Sequence, residues 1–257
     1  MPSPDEPPSP SLSSTPGSAI VACAQCGAAP LFGPYCHGCG QRIEGRLSFT
    51  SIFQSLRDQV LRLDFALLRT LRDVTLHPGR SVRAYLSGRR RQYTSPVAYA
   101  FLTSTGYALV LGLVPFEPIG FAGQYSALID AVGPVVPYVI ILALLPIAAL
   151  QRWAFAREGL TTAECYVFLL FVWSQLFLLG SLLILTGSYD TMPGLVVGGL
   201  LTVGFHSWAF LEFYDSGRLT AILASLAAFL LIQVLGISLA MLARSILSAL
   251  TSMGDGV

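Results

Sequence analysis

The chain has 257 residues, of which 54% are hydrophobic and only 11% are charged. A soluble domain carries about 25% charged residues, so this composition excludes an ordinary soluble domain and indicates that much of the chain faces lipid. The net charge is only +1, but all 15 basic residues are arginines and 11 of them lie between Arg42 and Arg91. The charge distribution therefore predicts a cationic segment ahead of the apolar half of the chain.

Residues 1–18 form a tail rich in proline and serine without a hydrophobic run. Such a composition cannot bury enough apolar area to offset chain entropy, so we expect the tail to be disordered. It also lacks the positive start and apolar core of a secretory signal, so it is not expected to be one.

Residues 19–45 contain two cysteine pairs, Cys23 with Cys26 and Cys36 with Cys39. Four thiolates in two CxxC pairs are the ligand set of a structural zinc site, so we predict a small N-terminal zinc ribbon. Because four cysteines complete a tetrahedral shell, His37 is not expected to be a ligand. Disulfides are the alternative, and they would require an oxidising compartment. Reduced thiols would place the N-terminus in the cytoplasm.

Residues 46–95 are predicted to form an amphipathic helix over Ser48–Leu76 followed by an arginine-rich segment at the membrane entrance. His77, Pro78 and Gly79 should end that helix, because proline removes a donor and glycine relaxes the chain. The helix could lie on the bilayer surface or pack on the cytoplasmic end of the bundle, and these two alternatives are compatible. Five arginines are predicted to contact lipid head groups or the interface, namely Arg80, Arg83, Arg89, Arg90 and Arg91. The adjacent membrane segment argues against nucleic acid as a partner.

Residues 96–245 are predicted to form the transmembrane bundle, and 246–257 a C-terminal tail. Five apolar stretches each have about 18 or more residues, enough to cross a hydrocarbon core of ~30 Å. They are Pro96–Pro115, Gly133–Leu150, Glu164–Thr186, Pro193–Tyr214 and Leu219–Ala243. The predicted fold class is therefore an all-α polytopic membrane protein with about five transmembrane helices. Residues 116–132 are too interrupted to span, and whether they re-enter the membrane is left open.

The connections between these stretches alternate in charge. Arg152, Arg157 and Arg218 lie in the second and fourth connections, whereas the first and third contain acids but no basic residue. The positive-inside rule then predicts a cytoplasmic N-terminus and a periplasmic C-terminus. The cysteine cluster favours the same side for the N-terminus.

Four polar residues of the third and fourth stretches form a candidate intramembrane polar site: Glu164, Gln175, His206 and Glu212. Ionisable side chains in lipid are costly, so each is a functional candidate by default. Counting outward from the turn near Asp190 places Gln175 and His206 at similar depth, where they could hydrogen-bond. The sequence favours structural hydrogen-bond partners over catalytic or transport groups here.

Enzyme signatures are absent in the forms HExxH, GxSxG and the phosphate-binding glycine loop. The predicted zinc site has no open coordination position, so it should be structural. The sequence therefore favours a protein that is not an enzyme, and no catalytic residue is predicted.

Three motifs resemble the bacterial domain-of-unknown-function family 3667: CAQCG, YCHGCGQR and LRTLRDVTLHPGRSVRAYLSGRRRQYTSP. The matching positions of the third motif are Thr70, Leu71, Arg72, Asp73, Pro78, Gly79, Tyr85, Gly88, Arg90, Tyr93 and Pro96. The likeness continues more weakly over 163–168, where Cys165 occupies a place at which the family often has histidine. The resemblance implies an N-terminal zinc ribbon, a multi-pass bacterial inner-membrane protein and no established activity.

Three functions remain open. The first is a non-enzymatic membrane protein whose zinc ribbon docks a cytoplasmic protein, while the arginine segment binds membrane lipids. The alternative is a small transporter or lipid-handling protein that uses the polar residues of the third and fourth spans. A membrane enzyme with Glu164 or Glu212 as acid or base ranks last, because no nucleophile or metal accompanies them. An oligomer is compatible with each.

Overall fold

The computed structural model describes residues 22–29, 31, 34–40, 49, 65–114, 135–187, 191–214 and 217–254. The chain divides into two compact units, residues 1–44 and residues 45–257. Unit 1 contains the four clustered cysteines, and the described part of unit 2 is helical. Three predictions lie outside the described residues: the disordered tail 1–18, the start of the amphipathic helix and the segment 116–132.

Seven α-helices make up the described part of unit 2. They are α1 (Phe65–Leu76), α2 (Pro78–Leu86), α3 (Pro96–Leu113), α4 (Val136–Ala154), α5 (Thr162–Leu185), α6 (Met192–Phe213) and α7 (Arg218–Gly254). Two 3₁₀ turns, Arg90–Gln92 and Ala156–Glu158, precede α3 and α5. The described residues hold no strand, which confirms the all-α prediction.

The helix starts follow from local sequence. Ser95 accepts a hydrogen bond from the Ala98 backbone N–H at 3.2 Å, and Thr191 accepts one from Gly194 at 3.2 Å. Proline occupies the first turn of both helices, where its missing N–H costs nothing. These caps satisfy donors that would otherwise be unpaired at the helix ends.

Four helical segments are long and apolar enough to cross a membrane: Arg90–Leu113, Val136–Ala154, Thr162–Leu185 and Met192–Phe213. They coincide with the first four predicted stretches, so those predictions are confirmed as membrane-compatible helices. The fifth stretch lies in α7, where Arg218–Val234 forms a shorter apolar helix among the described side chains. The backbone of α7 continues past Ala243 to Gly254.

Helix α5 is the centre of the bundle. In its most apolar window 72% of the residues are buried, against 28% in each of the other three candidate spans. It packs against α3, α4 and α6, and also against α1 and α2. A helix with neighbours on all sides has no polar face, which explains why α5 is apolar all round.

Helices α1 and α2 pack at the proximal end of the bundle, which we define as the end where α3 and α5 begin and α4 and α6 end. The Tyr214 hydroxyl marks this end, because it lies 3.5 Å from both Gln151 Oε1 of α4 and Cys165 Sγ of α5. Of the two placements predicted for the amphipathic segment, its described part shows packing on the end of the bundle.

Candidate metal centre and polar contacts

The four cysteines of unit 1 converge on one point. The Sγ atoms of Cys23 and Cys39 are 3.7 Å apart, and those of Cys26 and Cys36 are 3.6 Å apart. All four sulfurs lie within 4.8 Å of one another. A tetrahedron of thiolates around a metal at about 2.3 Å has sulfurs roughly 3.8 Å apart, so this cluster has the size of a four-thiolate metal site. The separations are much longer than a disulfide bond, and none of these cysteines is bridged.

Two glycines form the turns that carry the cysteine pairs. Gly27 and Gly40 donate their backbone N–H groups to the carbonyls of Cys23 and Cys36, each at 2.8 Å. Both glycines have positive φ, +75° and +69°, a conformation that strains other residues. Each turn therefore requires glycine after the second cysteine of the pair.

The surroundings of the Cys23 thiol favour its deprotonated form. Backbone N–H groups, that of Cys26 first and that of Gln25 second, hydrogen-bond to its sulfur and lower its pKa to about 6, against the opposing effect of burial. A lowered pKa favours the thiolate, which is the form that binds metals. His37 is exposed and lies outside the group of ligand atoms, as expected.

Glu164 is a structural residue at the start of α5. Its Oε2 atom accepts a hydrogen bond from the Thr161 N–H at 2.7 Å, and the Thr161 hydroxyl accepts one from the Glu164 N–H at 3.2 Å. This reciprocal pair is a capping box, which stabilises the first turn of a helix.

Gln175 connects three helices. Its Oε1 atom accepts a hydrogen bond from the Tyr99 hydroxyl of α3 at 2.5 Å, and its Nε2 donates to Thr75 Oγ1 of α1 at 2.7 Å. The hydrogen bond that similar depth would allow between Gln175 and His206 is not formed. Tyr99 lies in the first turn of α3, so Gln175 is level with the proximal end of that helix.

His206 lies in an aromatic environment. It is only 1% exposed, and its ring centroid lies 6.1 Å from that of Phe168 and 6.4 Å from that of Trp173. The buried His206 Nε2 and Trp173 Nε1 atoms have no hydrogen-bond partner among the described residues. Gln175 is not a partner of His206, because its amide bonds to Tyr99 of α3 and Thr75 of α1.

Glu212 and Arg83 join α2 and α6 reciprocally. Glu212 Oε2 accepts hydrogen bonds from the N–H groups of Gly79 at 3.1 Å and Arg80 at 3.3 Å, at the start of α2. Arg83 Nε in turn donates to the Phe213 carbonyl at the end of α6 at 2.6 Å. An anion at a helix N-terminus and a cation at a C-terminus are each favourable, so the two helices stabilise each other.

Gly79 permits this contact through its lack of a side chain. A Cβ atom there would come within 2.5 Å of Glu212 Cβ and the Phe213 nitrogen, and closer still to the Ala209 carbonyl oxygen. Only glycine lets α2 approach the α6 backbone so closely. From sequence, Gly79 is predicted only to end the preceding helix, whereas Pro78 and Gly79 begin α2.

The four candidate polar residues thus engage different partners, and the structure does not assemble them into one site. Of the five candidate arginines, Arg83 bonds to α6, and Arg80 Nε lies 3.6 Å from Glu212 Oε1. Arg90 is half-buried, whereas Arg89 and Arg91 are exposed. Contact of these arginines with lipid stays a prediction.

Motif residues between Thr70 and Tyr93 contact one another. Thr70 Oγ1 accepts a hydrogen bond from the Thr94 N–H at 2.8 Å, which joins α1 to the segment that enters α3. The Tyr93 hydroxyl interacts with Asp73 and Ser81. The Tyr85 and Tyr93 rings are 6.5 Å apart, and Tyr85 also packs 5.4 Å from Phe171 of α5. These residues therefore act by packing α1 and α2 onto the bundle.

Sequence reasoning missed Tyr99 and Tyr214 as partners of polar residues. Tyr99 binds Gln175, and Tyr214 lies between Gln151 and Cys165. Cys165 is fully buried. A buried tyrosine hydroxyl needs a partner, and that rule alone could have nominated both tyrosines.

One segment of the chain, which contains α1, α2 and the start of α3, is similar to a known protein family. No curated protein and no solved structure matches the chain. The cysteine cluster lies outside the one matching region, which begins just before α1 and ends within α3. That region, residues 64–107, matches the family described as Protein of unknown function (DUF3667), which confirms the resemblance of this segment to that family.

Proposed function

We propose that this chain is a bacterial inner-membrane protein whose N-terminal module holds a structural zinc ion and docks a cytoplasmic protein. The observation that carries the proposal is the closed shell of four cysteine sulfurs in a compact unit of its own. Zinc is the metal that best suits four thiolates in a tetrahedron. A closed shell leaves no position for substrate or water, so the metal would support a folded surface.

The orientation in this proposal rests on charge. Arginines precede the first span and occur in the second and fourth connections, as the positive-inside rule requires for a cytoplasmic N-terminus. Reduced thiols suit the same compartment. The membrane half would anchor the module, because Glu164, Gln175 and Glu212 are all engaged in contacts between or within helices.

Crosslinking in intact cells tests the docking role. A photo-crosslinking residue at Tyr35, which is 57% exposed, should capture one defined cytoplasmic protein. Capture should be lost in Cys36→Ser, and a crosslinker at the equally exposed Val196 of α6 should not capture that protein. Adducts that are unchanged by Cys36→Ser, or that contain only periplasmic proteins, would refute the docking role and the orientation respectively.

A second candidate is a small transporter or lipid-handling protein. It is favoured by the buried Nε2 of His206 and Nε1 of Trp173, which have no partner among the described residues. Unsatisfied polar groups in a membrane interior are costly and often functional. Liposome flux that disappears in His206→Ala and Glu212→Ala would support it, and flux unchanged by both would remove its basis.

A further inference from the structure

The outer face of α1 combines large apolar side chains with arginines. We define this face by Phe65, Leu68, Arg69, Arg72 and Leu76, whose spacing places them on one side of the helix. All five are exposed, Phe65 by 87% and Leu68 by 65%. The opposite side is buried through Thr70 and Val74. The outer face of α1 is therefore not the side that packs on the bundle, yet it is too apolar for contact with water alone.

Two hydrogen bonds hold this face at the proximal end of the bundle. Thr70 accepts one from Thr94, two residues before α3 begins. Thr75 accepts one from Gln175 of α5. Because α3 is long enough to span a membrane, α1 is held beside the entrance of that span and beside the middle of α5.

An exposed tryptophan marks the same end. Trp153, in the last turn of α4, is 78% exposed beside Arg152. Exposed tryptophan and arginine at the end of a spanning helix are typical of the membrane–water interface. The proximal end of the bundle, where α4 ends, therefore has the character of an interface.

The net charge of the sequence around this face is positive. Between residues 65 and 114 the chain contains seven arginines and a single acid, Asp73. Asp73 is half-buried and interacts with Tyr93, and its single negative charge offsets one of the seven arginines. Arg89 and Arg91 add exposed cations nearby in sequence. A binding partner that complements this surface would be anionic.

We infer that the outer face of α1 binds the surface of an anionic bilayer. The guanidinium groups of Arg69 and Arg72 bind head-group phosphates, and Phe65, Leu68 and Leu76 enter the acyl region beside them. An acidic protein surface would match the two arginines, but it would leave three large apolar side chains next to charges. A bilayer supplies phosphates for the arginines and acyl chains for the apolar side chains next to one another.

Hydrogen exchange of the full chain in nanodiscs tests this binding. The α1 amides are compared in discs of phosphatidylcholine alone and of phosphatidylcholine mixed with phosphatidylglycerol. Exchange should slow by roughly 25-fold in the anionic discs, because each of the two arginines near such a surface contributes about fivefold. The double variant Arg69→Gln/Arg72→Gln should exchange at the neutral-disc rate in both. Phe65→Ser/Leu68→Ser should speed exchange in both.

The matched control is Arg152→Gln/Arg157→Gln, which removes the same charge from the last turn of α4 and the 3₁₀ turn after it and should keep the slow exchange. Unchanged exchange of α5 amides shows that each variant is folded. Equal α1 exchange of the wild type in both discs would overturn the inference, and this comparison needs no variant. Slowing by inorganic phosphate in neutral discs, or loss of the effect in the control, would also overturn it.

Discussion

Replacing Gly79 by alanine is expected to destabilise the membrane half by about 3 kcal/mol, the upper part of the usual range for adding a methyl group to a tight contact. The new Cβ would meet the Ala209 carbonyl oxygen and the Phe213 nitrogen, which are backbone atoms of α6. Backbone atoms cannot turn away as a flexible side chain can, so α2 would have to move outward. That movement would also lengthen the hydrogen bonds from Gly79 and Arg80 to Glu212 and the bond from Arg83 to Phe213.

Thermal unfolding of the purified protein in detergent measures this effect. A loss of that size corresponds to a decrease in Tm of roughly 6–12 °C for a chain of this length. Gly106→Ala is the matched control, because a Cβ at Gly106 within α3 meets no atom within 4 Å. Alanine is the better helix former, so the control should be neutral or slightly stabilising. Equal Tm values for the two variants would show that α2 does not pack on α6 as described.

Replacing Cys36 by serine is expected to abolish metal binding by unit 1 while the membrane half keeps its stability. Cys36 is buried in the cluster, and its sulfur lies 3.6 Å from that of Cys26. A module this small has little core, and metal binding in comparable zinc peptides supplies about 10–16 kcal/mol. Elemental analysis should find about one zinc ion per wild-type chain and none in the variant. Unit 1 should then become sensitive to protease.

Two variants control for this result. Cys165→Ala removes the one cysteine outside the cluster and should keep the metal. His37→Ala removes the neighbouring imidazole, which is not a ligand, and should also keep it. Metal retained in Cys36→Ser, or lost in His37→Ala, would mean that the ligand set is not the four cysteines. A change in the Tm of the membrane half in Cys36→Ser would contradict the expectation that its stability does not require the metal.

The spans were predictable because length and hydropathy are local properties of the chain. For example, the stretch predicted from the sequence to end at Tyr214 corresponds to α6, which ends at Phe213. The cap at Ser95 and the proline after it likewise set the start of α3 without reference to any distant residue. The cysteine cluster was also predictable from local sequence, because the spacing within each pair restricts the geometry of its turn.

The partners of the polar residues were not predictable in the same way. Counting from the turn near Asp190 gave the depth of Gln175 and His206 but not the direction in which each points. Direction depends on how the helices pack against one another, and that packing is set by contacts between side chains far apart in sequence. As a result Gln175 faces Tyr99, and His206 packs against Phe168 and Trp173.

The placement of the amphipathic segment was likewise open in the sequence and decided by the tertiary structure. Its sequence allowed α1 to lie on the bilayer or to pack on the bundle, because apolar and arginine residues occur on more than one side. The contacts of Thr70 with Thr94 and of Thr75 with Gln175 select the buried side. Only after that selection do Phe65, Leu68 and Arg69 stand out as a surface that faces away from the protein.

The sequence by itself determined the membrane-compatible helices, the four-cysteine cluster and the family of residues 64–107, since each depends on composition or on short spacings. The tertiary structure alone decided that Gly79 and Glu212 join α2 to α6, because two residues separated by more than a hundred positions meet only when the bundle packs. A glycine that reads as a helix terminator is, in three dimensions, the place where the backbones of two helices meet.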